Sequence, residues 1–423
     1  MDSTYIRAMA DQCSMLLISL CLLVLLNTQL VRTQFINITF VDSAVSKGAV
    51  CMGGSPPAYS LARGSGSGVN NWFIYIEGGG WCVTRSECHR RSEGWLGTSY
   101  SRTRNYYDGL LTQNQTYNPD FYNWNRVSLI YCDGSSFFGD VEEPDTQTNV
   151  TYRGSRVFNA IMEDLLAKGM NNADNVLLAG GSAGGLATIL HCDGLRALVP
   201  NANRVKCISD SGFFIHAKNL PGAKEREDYF TKVVELHGLQ KHLPESCTSR
   251  MNPGLCLFPE YLVEDIQTPL FILESLFDSH QIKEMLTPYI GGGKPEWNNC
   301  VNQSLTFCNS TQIEIMQEFR KTFIDTLRNL KYSSSRGMFV HNCYLHTHLL
   351  LKEETMCSSL VNNVLENKTI REAISDWFFD RSCFQHIDTN NDEPQNCTSG
   401  LSSAAFSKEC IDYLKNNHIK LVV

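Results

Sequence analysis

Several features that would assign this chain to a common functional class are missing from its 423 residues. The net charge is −8 rather than positive, which argues against a nucleic-acid partner. There is no internal repeat, no block of like charges and no long low-complexity linker. The cysteines include no C-x-x-C pair, the spacing typical of structural zinc sites. With 43% hydrophobic residues, the chain has the composition of a globular protein with a full core.

A hydrophobic run long enough to span a membrane is also missing. The apolar block Met15–Leu26 has 12 residues and follows Arg7, which is typical of the hydrophobic region of a signal peptide. We predict a signal peptide over residues 1–33, a single mature domain over 34–423, and no stable membrane association after cleavage. An uncleaved signal anchor is the alternative.

The cysteine content indicates an oxidising compartment. Cys13 and Cys21 fall in the predicted signal peptide, and the 15 cysteines that remain favour a disulfide framework over metal sites. Seven N-x-S/T sequons point the same way, headed by Asn37, Asn114, Asn149, Asn302, Asn309, Asn367 and Asn396. The sequence therefore predicts a secreted, disulfide-stabilised glycoprotein with a cysteine-containing C-terminal tail.

Short apolar runs alternate with helical patterns along the mature chain. The predicted strands are 72–76, 127–131, 176–179, 205–209, 269–273 and 337–340, and the clearest predicted helices are 152–168 and 313–330. This alternation predicts an α/β protein with a mostly parallel, doubly wound sheet. In such sheets catalytic groups lie just beyond the carboxyl ends of the strands.

One of these strands leads into the sequence Gly180-Gly181-Ser182-Ala183-Gly184, which matches G-x-S-x-G. Leucines and an isoleucine follow at helical spacing, so the motif lies between a strand and a helix. That context is typical of a nucleophile elbow, in which a tight turn holds the serine hydroxyl out for reaction. The alternative is a glycine-rich turn with an incidental serine. We predict that Ser182 is a nucleophile.

A glycine triplet follows the strand 72–76. Its residues, Gly78, Gly79 and Gly80, allow the backbone to turn N–H groups toward an oxyanion, together with the N–H of Ala183. A plain tight turn is the alternative.

A serine nucleophile needs a histidine base and a carboxylate that orients it. In this architecture the acid and then the histidine follow the serine along the chain. Asp278 lies a few residues past a predicted strand, and Glu274, within that strand, is the weaker candidate. His346 follows the last predicted strand, with two rivals at 341 and 348. Three histidines also suggest a metal site, but no carboxylate or thiolate pattern completes one, so we predict no metal and no cofactor.

Several separate motifs together resemble the plant pectin acetylesterases, and they run from about Val41 to Asp388. They are GAVCMGGSPPAY at 48–59, NNW at 70–72, EGGGWC at 77–82, YCDGSSF at 131–137, GGSAGG at 180–185 and DWF at 376–378. The family has an α/β-hydrolase-like fold and removes acetyl groups from pectin. It also includes the Notum carboxylesterases, which remove a fatty acyl group from secreted Wnt proteins.

This resemblance implies a serine esterase that needs no cofactor, acts in the plant cell wall and has acetylated pectin or a related polysaccharide as its substrate. Ser182 is then the nucleophile, Asp278 the acid and His346 the base, with Gly79, Gly80 and Ala183 as oxyanion donors. The chain departs from the plant pattern at Thr347, where a cysteine is usual, and in its tail, where cysteines are sparse. Cys383 and Cys397 are therefore left without assigned partners.

A polyanionic substrate requires a local basic patch on an acidic protein. Basic residues follow the glycine triplet, and we predict that some of them contact galacturonate carboxylates: Arg85, His89, Arg90, Arg91, Arg102 and Arg104. Trp81 is a candidate for stacking on a sugar, and a solvated surface cluster is the alternative for the cations. Competing functions are a Notum-like esterase acting on an acylated protein and a secreted binding protein with an inactive esterase fold.

Overall fold

The computed structural model of the protein describes residues 35–290, 295–351, 363–390 and 392–397. The predicted signal peptide and the tail beyond Cys397 lie outside these residues, so the proposed boundaries stay predictions. Among the described segments, no helix combines the length and the apolar character needed to cross a membrane.

A ten-stranded sheet forms the centre of the protein, in the order β12-β9-β8-β7-β6-β3-β5-β2-β1-β4. Two further short strands, β10 and β11, form a separate hairpin. The strands are β1 (Phe35–Phe40), β2 (Ala58–Ala62), β3 (Asn71–Ile76), β4 (Arg104–Tyr106), β5 (Asn125–Leu129), β6 (Asn175–Gly181), β7 (Arg204–Asp210), β8 (Leu270–Ser275), β9 (Gly337–His341), β10 (Val364–Leu365), β11 (Lys368–Thr369) and β12 (Gln385–Ile387).

The seven strands from β12 to β5 in this order are parallel to their neighbours. β2, β1 and β4 extend the sheet beyond β5 in antiparallel fashion. The prediction of a mostly parallel sheet is confirmed, and each predicted strand is present with slightly different ends. The antiparallel extension was not predicted.

Helices cover both faces of the sheet. They are α1 (Arg85–Ser92), α2 (Gly154–Ala167), α3 (Ala183–Leu198), α4 (Ala223–His237), α5 (Glu245–Thr248), α6 (Pro295–Asn302), α7 (Ser310–Arg328) and α8 (Ile370–Phe378), with a π-helical turn at Gln281–Leu286. Successive strand residues point to opposite faces. Trp72, Ile74 and Ile76 of β3 therefore pack in one core with α2, α3 and α7, while Phe73 and Tyr75 pack in a second core with α8. This is the predicted doubly wound arrangement.

Six disulfides join the described cysteines, which confirms the predicted disulfide framework: Cys51–Cys132, Cys82–Cys88, Cys192–Cys207, Cys247–Cys256, Cys300–Cys308 and Cys343–Cys397. Cys397 thus pairs with the loop that follows β9. Cys383 is exposed and has no partner among the described cysteines. All seven asparagines that head sequons are exposed.

The parallel strands place their carboxyl ends along one edge of the sheet. β3 ends at Ile76, β6 at Gly181, β7 at Asp210, β8 at Ser275 and β9 at His341. Each predicted catalytic residue follows one of these ends, so the fold gathers them at a single edge.

Candidate active site

Ser182 forms the turn between β6 and α3 in a backbone conformation that is rare for a residue with a side chain. Its φ is 58° and its ψ is −126°, just before the helix begins at Ala183. Its N–H donates to the carbonyl of Asp210 at the end of β7 (2.9 Å), which ties the turn to the next strand. The serine is only half-buried while its neighbours are buried. This strained backbone geometry is typical of a nucleophile elbow, and the role of Ser182 as nucleophile stays a prediction.

The glycine triplet packs directly against this turn. A Cβ atom on Gly78 would lie 2.3 Å from the carbonyl oxygen of Gly181 and 2.9 Å from Cβ of Ser182. Any side chain at position 78 would therefore push the loop away from the serine. Glycine is required here because two backbones approach closely.

Arg91 and Tyr131 set the direction of the peptide groups in this loop. The Nη2 of Arg91 donates to the carbonyls of Gly79 (2.8 Å) and Gly80 (3.2 Å), and the Tyr131 hydroxyl also donates to Gly80 (2.9 Å). Because the peptide bond is planar and trans, the N–H of each unit points opposite to its carbonyl. The N–H groups of Gly80 and Trp81 are thereby directed away from Arg91. The direction of the Gly79 N–H is not set by these contacts, because it belongs to the preceding peptide.

Ser136 connects the loop to the elbow helix. Its Oγ accepts from Nε1 of Trp81 (2.9 Å) and donates to the carbonyl of Ala183 (2.7 Å). Its N–H donates to the hydroxyl of Tyr131 (2.9 Å). Ser136 thus links the residue after the glycine triplet to the helix that begins at Ala183. Its place in the shared motif at 131–137 is the sequence signal that could have pointed to this role.

Asp278 and His346 are brought together across 68 positions of the chain. Oδ2 of Asp278 lies 2.7 Å from Nδ1 of His346, and its Oδ1 accepts from the N–H of Gln281 (2.8 Å). The aspartate is completely buried, whereas the histidine side chain is 18% exposed. A proton on Nδ1 that is donated to the carboxylate leaves the lone pair of Nε2 available as a base.

The residues beside Ser182 and His346 also meet. Thr347, with a φ of 67°, places its methyl group 3.2 Å from the position of a Cβ on Gly181. Nε2 of His346 is buried and accepts no hydrogen bond from the described residues, including from Ser182. Catalytic hydrogen bonds are often long before substrate binds, so the absence of a hydrogen bond between Ser182 and His346 agrees with a role of His346 as the base.

The two rival histidines lie in the interior and form a chain of hydrogen bonds to Asp210. The N–H of Cys343 donates to Nδ1 of His341 (3.1 Å), so the proton of this neutral ring is on Nε2. Nε2 of His341 is 2.8 Å from Nε2 of His348, whose Nδ1 is 2.6 Å from Asp210. Burial lowers the pKa of His341 well below its ordinary value and keeps it neutral. Both rings are thus engaged in a buried chain that ends at Asp210.

Asp210 is the residue that sequence reasoning missed. Its second carboxylate oxygen accepts from the N–H groups of His348 and Leu349, each at 2.8 Å. Its backbone carbonyl accepts from Ser182, as described above. One buried residue at the end of β7 therefore fixes both the elbow and the loop that carries His346.

Glu274, the weaker candidate for the acid, is buried in β8. Its Oε1 accepts from the N–H of Phe213 (2.6 Å), and no hydrogen bond joins it to a histidine among the described residues. Burial and the nearby charge of Asp278 raise its pKa well above the ordinary value, which favours its neutral form. A neutral acid does not stabilise an imidazolium, and Asp278 is the better candidate.

A cavity of about 310 Å³ opens beside the glycine loop and His280. Its walls are Gly80, Trp81, Glu87, Arg226, Tyr229, His280, Glu284, Met285 and Tyr289. The ring of His280 stacks on that of His346, with 4.9 Å between the centroids and 27° between the planes. Trp81, a predicted substrate contact, is buried and forms part of the wall.

The predicted cationic contacts lie on or near α1. Arg91 is engaged with the glycine loop and lies over the ring of Tyr131, 5.4 Å from its centroid. Arg85 forms an ion pair with Asp145 (3.0 Å), and Arg90 is exposed without an ion pair to any described residue. Arg102 pairs with Glu77. The structure therefore uses most of these cations within the protein.

One group of side chains in the described part of the chain has the spacing of metal ligands: Cys82, Cys88 and His237. The two cysteines form a disulfide, so they offer no thiolates. His237 donates from Nε2 to the carbonyl of Cys82 (2.9 Å), and burial lowers its pKa to about 4.

Comparison with known proteins identifies the family. The model of the pectinacetylesterase family matches residues 30–398. The chain is 45% identical to pectin acetylesterase 7 of Arabidopsis thaliana over 82% of its length and 88% of that protein. It is 28% identical to the palmitoleoyl-protein carboxylesterase notum2 of Xenopus laevis over 62% of its length and 56% of that protein.

The fold agrees with that of a solved relative. The structure of the Wnt deacylase Notum from Drosophila superposes with a TM-score of 0.70 at 22% identity, covering 85% of this chain and 97% of that one. The predicted α/β-hydrolase-like fold is confirmed. With the family model spanning most of the sequence, the chain belongs to the pectinacetylesterase family.

Proposed function

We propose that the protein is a secreted serine esterase that removes acetyl groups from pectin of the plant cell wall. The observation that carries this proposal is the 2.7 Å contact between Asp278 and His346 beside the elbow of Ser182, in a chain of the pectinacetylesterase family. No cofactor is needed, because a serine, a histidine and a carboxylate suffice for ester hydrolysis.

In the proposed mechanism, Nε2 of His346 takes the proton of Ser182 as its Oγ attacks the acetyl carbonyl. The imidazolium is stabilised by Asp278 and then gives the proton to the departing sugar oxygen. Water, deprotonated by the same histidine, hydrolyses the acetyl-enzyme and releases acetate.

The developing oxyanion is proposed to lie against backbone N–H groups. Gly80 and Ala183 keep their predicted role, and Trp81 joins them because Arg91 and Tyr131 turn the Gly79 and Gly80 carbonyls the other way. Gly79 is retained as the hinge that allows this turn, with a φ of 149°. Arg91 then acts on the loop rather than on the substrate.

The lining of the cavity favours a sugar over a fatty acyl chain. Glu87, Glu284 and His280 place polar groups among the aromatic walls, whereas a long acyl chain requires an apolar tunnel. The higher identity to pectin acetylesterases than to Notum proteins supports the same choice. Arg85 and Arg90 are kept in the proposal as contacts to a uronate further along the polymer.

Secretion and glycosylation are part of the proposal. The described residues contain six disulfides, and the sequon asparagines are all exposed. Both features suit an oxidising, extracellular compartment.

Acetate release from acetylated pectin tests the function. The wild-type protein should release acetate, and Ser182→Ala should abolish release while the protein is still secreted at the same level. Activity only on an acylated peptide would favour the Notum-like alternative. No hydrolysis of any ester, with the protein folded, would favour an inactive binding protein.

A further inference from the structure

We propose that the cavity beside Gly80 and His280 binds the sugar ring that carries the acetyl ester, and that it selects a ring without a free carboxylate. The ligand class is an uncharged pyranose, which in pectin includes a galacturonate whose carboxyl group is methyl-esterified. This inference rests on the proposed esterase function and names the form of substrate that the site accepts.

The position of the cavity indicates that it holds the sugar rather than the acetyl group. His346 must return its proton to the sugar oxygen, so the sugar leaves on the side of this histidine. His280 is stacked on His346 and lines the cavity, which places the cavity on that side. The glycine loop at its other wall supplies the proposed oxyanion donors.

The size of the cavity agrees with this assignment. Its 310 Å³ equals the volume of about ten water molecules at roughly 30 Å³ each. An acetyl group would leave most of this space empty, whereas a pyranose ring has room in it. The faces of Trp81, Tyr229 and Tyr289 offer apolar surfaces to the C–H groups of a sugar.

Two carboxylates face the space that the ring would occupy. Glu87 and Glu284 both line the cavity, and so does Tyr229. Burial is the main cause that raises the pKa of Tyr229 to about 12, and the two glutamate charges add to it. A uronate carboxylate in this space would meet two like charges at short range.

Arg226 is the one cation among the described residues that line the cavity, and it offers no hydrogen bond to a ligand. It is 3% exposed. All of its N–H groups are used by backbone carbonyls, those of His216, Ala217, Leu220, Pro221 and Met285. Its guanidinium therefore holds the surrounding loops together and has no donor left for a carboxylate.

Arg91, whose charge also reaches Tyr229, is engaged with the carbonyls of Gly79 and Gly80. Arg226 and Arg91 are thus bound within the protein, while Glu87 and Glu284 line the cavity. Lys283 acts on His280 from outside this lining. A methyl ester removes the substrate charge and with it the repulsion.

The test uses two acetylated oligogalacturonides of equal length and acetyl content, one methyl-esterified and one with free carboxylates. The kcat/KM for acetate release is measured on both for the wild type, Glu87→Gln, Glu284→Gln and the double variant. Glu318→Gln is the matched control, because Glu318 is an exposed glutamate on α7 that does not line the cavity.

We expect the wild type to prefer the methyl-esterified substrate by about tenfold, the size expected for like charges several ångströms apart at a partly solvated site. Each single variant should reduce this ratio about threefold and the double variant should nearly remove it. Glu318→Gln should keep the wild-type ratio. For the wild type alone, raising the ionic strength to about 1 M, where the Debye length is about 3 Å, should also narrow the ratio.

Equal rates on the two substrates, or a preference for free carboxylates, would overturn this inference while leaving the esterase function intact. A ratio that the double variant and salt both leave unchanged would overturn it as well. Acetate release from neither substrate would instead overturn the proposed function.

Discussion

Asp210→Asn is the substitution that most sharply tests how the site is held together. The carboxylate accepts hydrogen bonds from Nδ1 of His348, from the N–H groups of His348 and Leu349 and, at 3.4 Å, from the hydroxyl of Ser211. Three of these four partners can only donate. An asparagine replaces one acceptor oxygen by an NH2 group that can only donate. Whichever way the amide is turned, two donors face each other.

The histidine chain cannot relieve this conflict. His348 could accept at Nδ1 only if its proton moved to Nε2. Nε2 of His341 would then have to accept, so the proton of His341 would move to its own Nδ1. The Nδ1 of His341 is 3.1 Å from the N–H of Cys343, so two donors would face each other there instead. All three residues are buried, and water cannot substitute.

The expected cost follows from these contacts. The variant loses hydrogen bonds to a buried carboxylate, and it leaves two buried donors facing each other without an acceptor. Together these effects should lower the free energy of unfolding by about 3–5 kcal/mol. Displacement of the loop that carries His346 should reduce kcat for acetyl ester hydrolysis by about 10²-fold. Guanidinium unfolding and acetate release measure the two effects.

Asp193→Asn is the matched control. Its carboxylate also accepts from two backbone N–H groups, those of Gln267 (3.0 Å) and Thr268 (2.7 Å), but it is half-buried and touches no histidine. Here we expect a loss of about 1 kcal/mol and full activity, because water can replace one partner. If Asp210→Asn lowered the free energy of unfolding and kcat no more than Asp193→Asn does, Asp210 would not hold the site together.

Three further predictions concern single side chains. His280→Phe keeps a ring on His346 and should retain kcat/KM within about threefold, whereas His280→Ala should lose up to tenfold; equal losses would contradict a stacking role. Burial lowers the pKa of His191 to about 3 in the folded protein, whereas in the unfolded chain the ring has a pKa near 6.5. Between these two pH values the unfolded state binds more protons than the folded state. The free energy of unfolding therefore falls as the pH drops through this window. His191→Phe should make the fall in the free energy of unfolding with pH shallower by up to about 1.4 kcal/mol per pH unit, measured by guanidinium titrations. An unchanged pH dependence would show that His191 is not the source of this effect. Arg91→Met should lower kcat on nitrophenyl acetate about tenfold through the glycine loop, while its exposed neighbour variant Arg90→Met should not; equal effects would contradict the loop role.

The strand, turn and helix around Ser182 were predictable because their signal is local. An apolar run, small residues and a helical repeat occur in order around Ser182, and each constrains only its immediate neighbours. The predicted strands share this property, since a buried parallel strand is read from its own residues. The antiparallel strands β1 and β4 were missed because β1 is partly exposed, β4 has only three residues, and their pairing depends on distant segments.

The choice among three histidines shows where local reasoning stops. Positions 341, 346 and 348 carry the same side chain within eight residues, and only the resemblance to a family singled out His346. In the structure the distinction comes from Asp210 and Asp278, which are 138 and 68 positions away from the histidines they contact. Long-range partners of this kind leave no trace in the spacing of residues.

The basic cluster after the glycine triplet illustrates the same limit. Its composition suggested contacts with a polyanion, and this stays a prediction for Arg85 and Arg90. The side chain of Arg91 instead turns inward to the loop. Arg85 forms an ion pair with Asp145, which the sequence did not indicate. Side-chain direction on α1 depends on the packing of the helix against the loop, which the sequence alone does not specify.

Labelling with a fluorophosphonate probe, followed by peptide mapping, tests whether Ser182 is a nucleophile activated by His346. The probe forms a covalent bond only with a serine that a neighbouring base activates. We predict a single adduct on Ser182 in the wild type, strongly reduced labelling in His346→Ala, and retained labelling in His348→Gln folded to the same extent. An adduct on another serine, or labelling of Ser182 that does not depend on His346, would contradict the account.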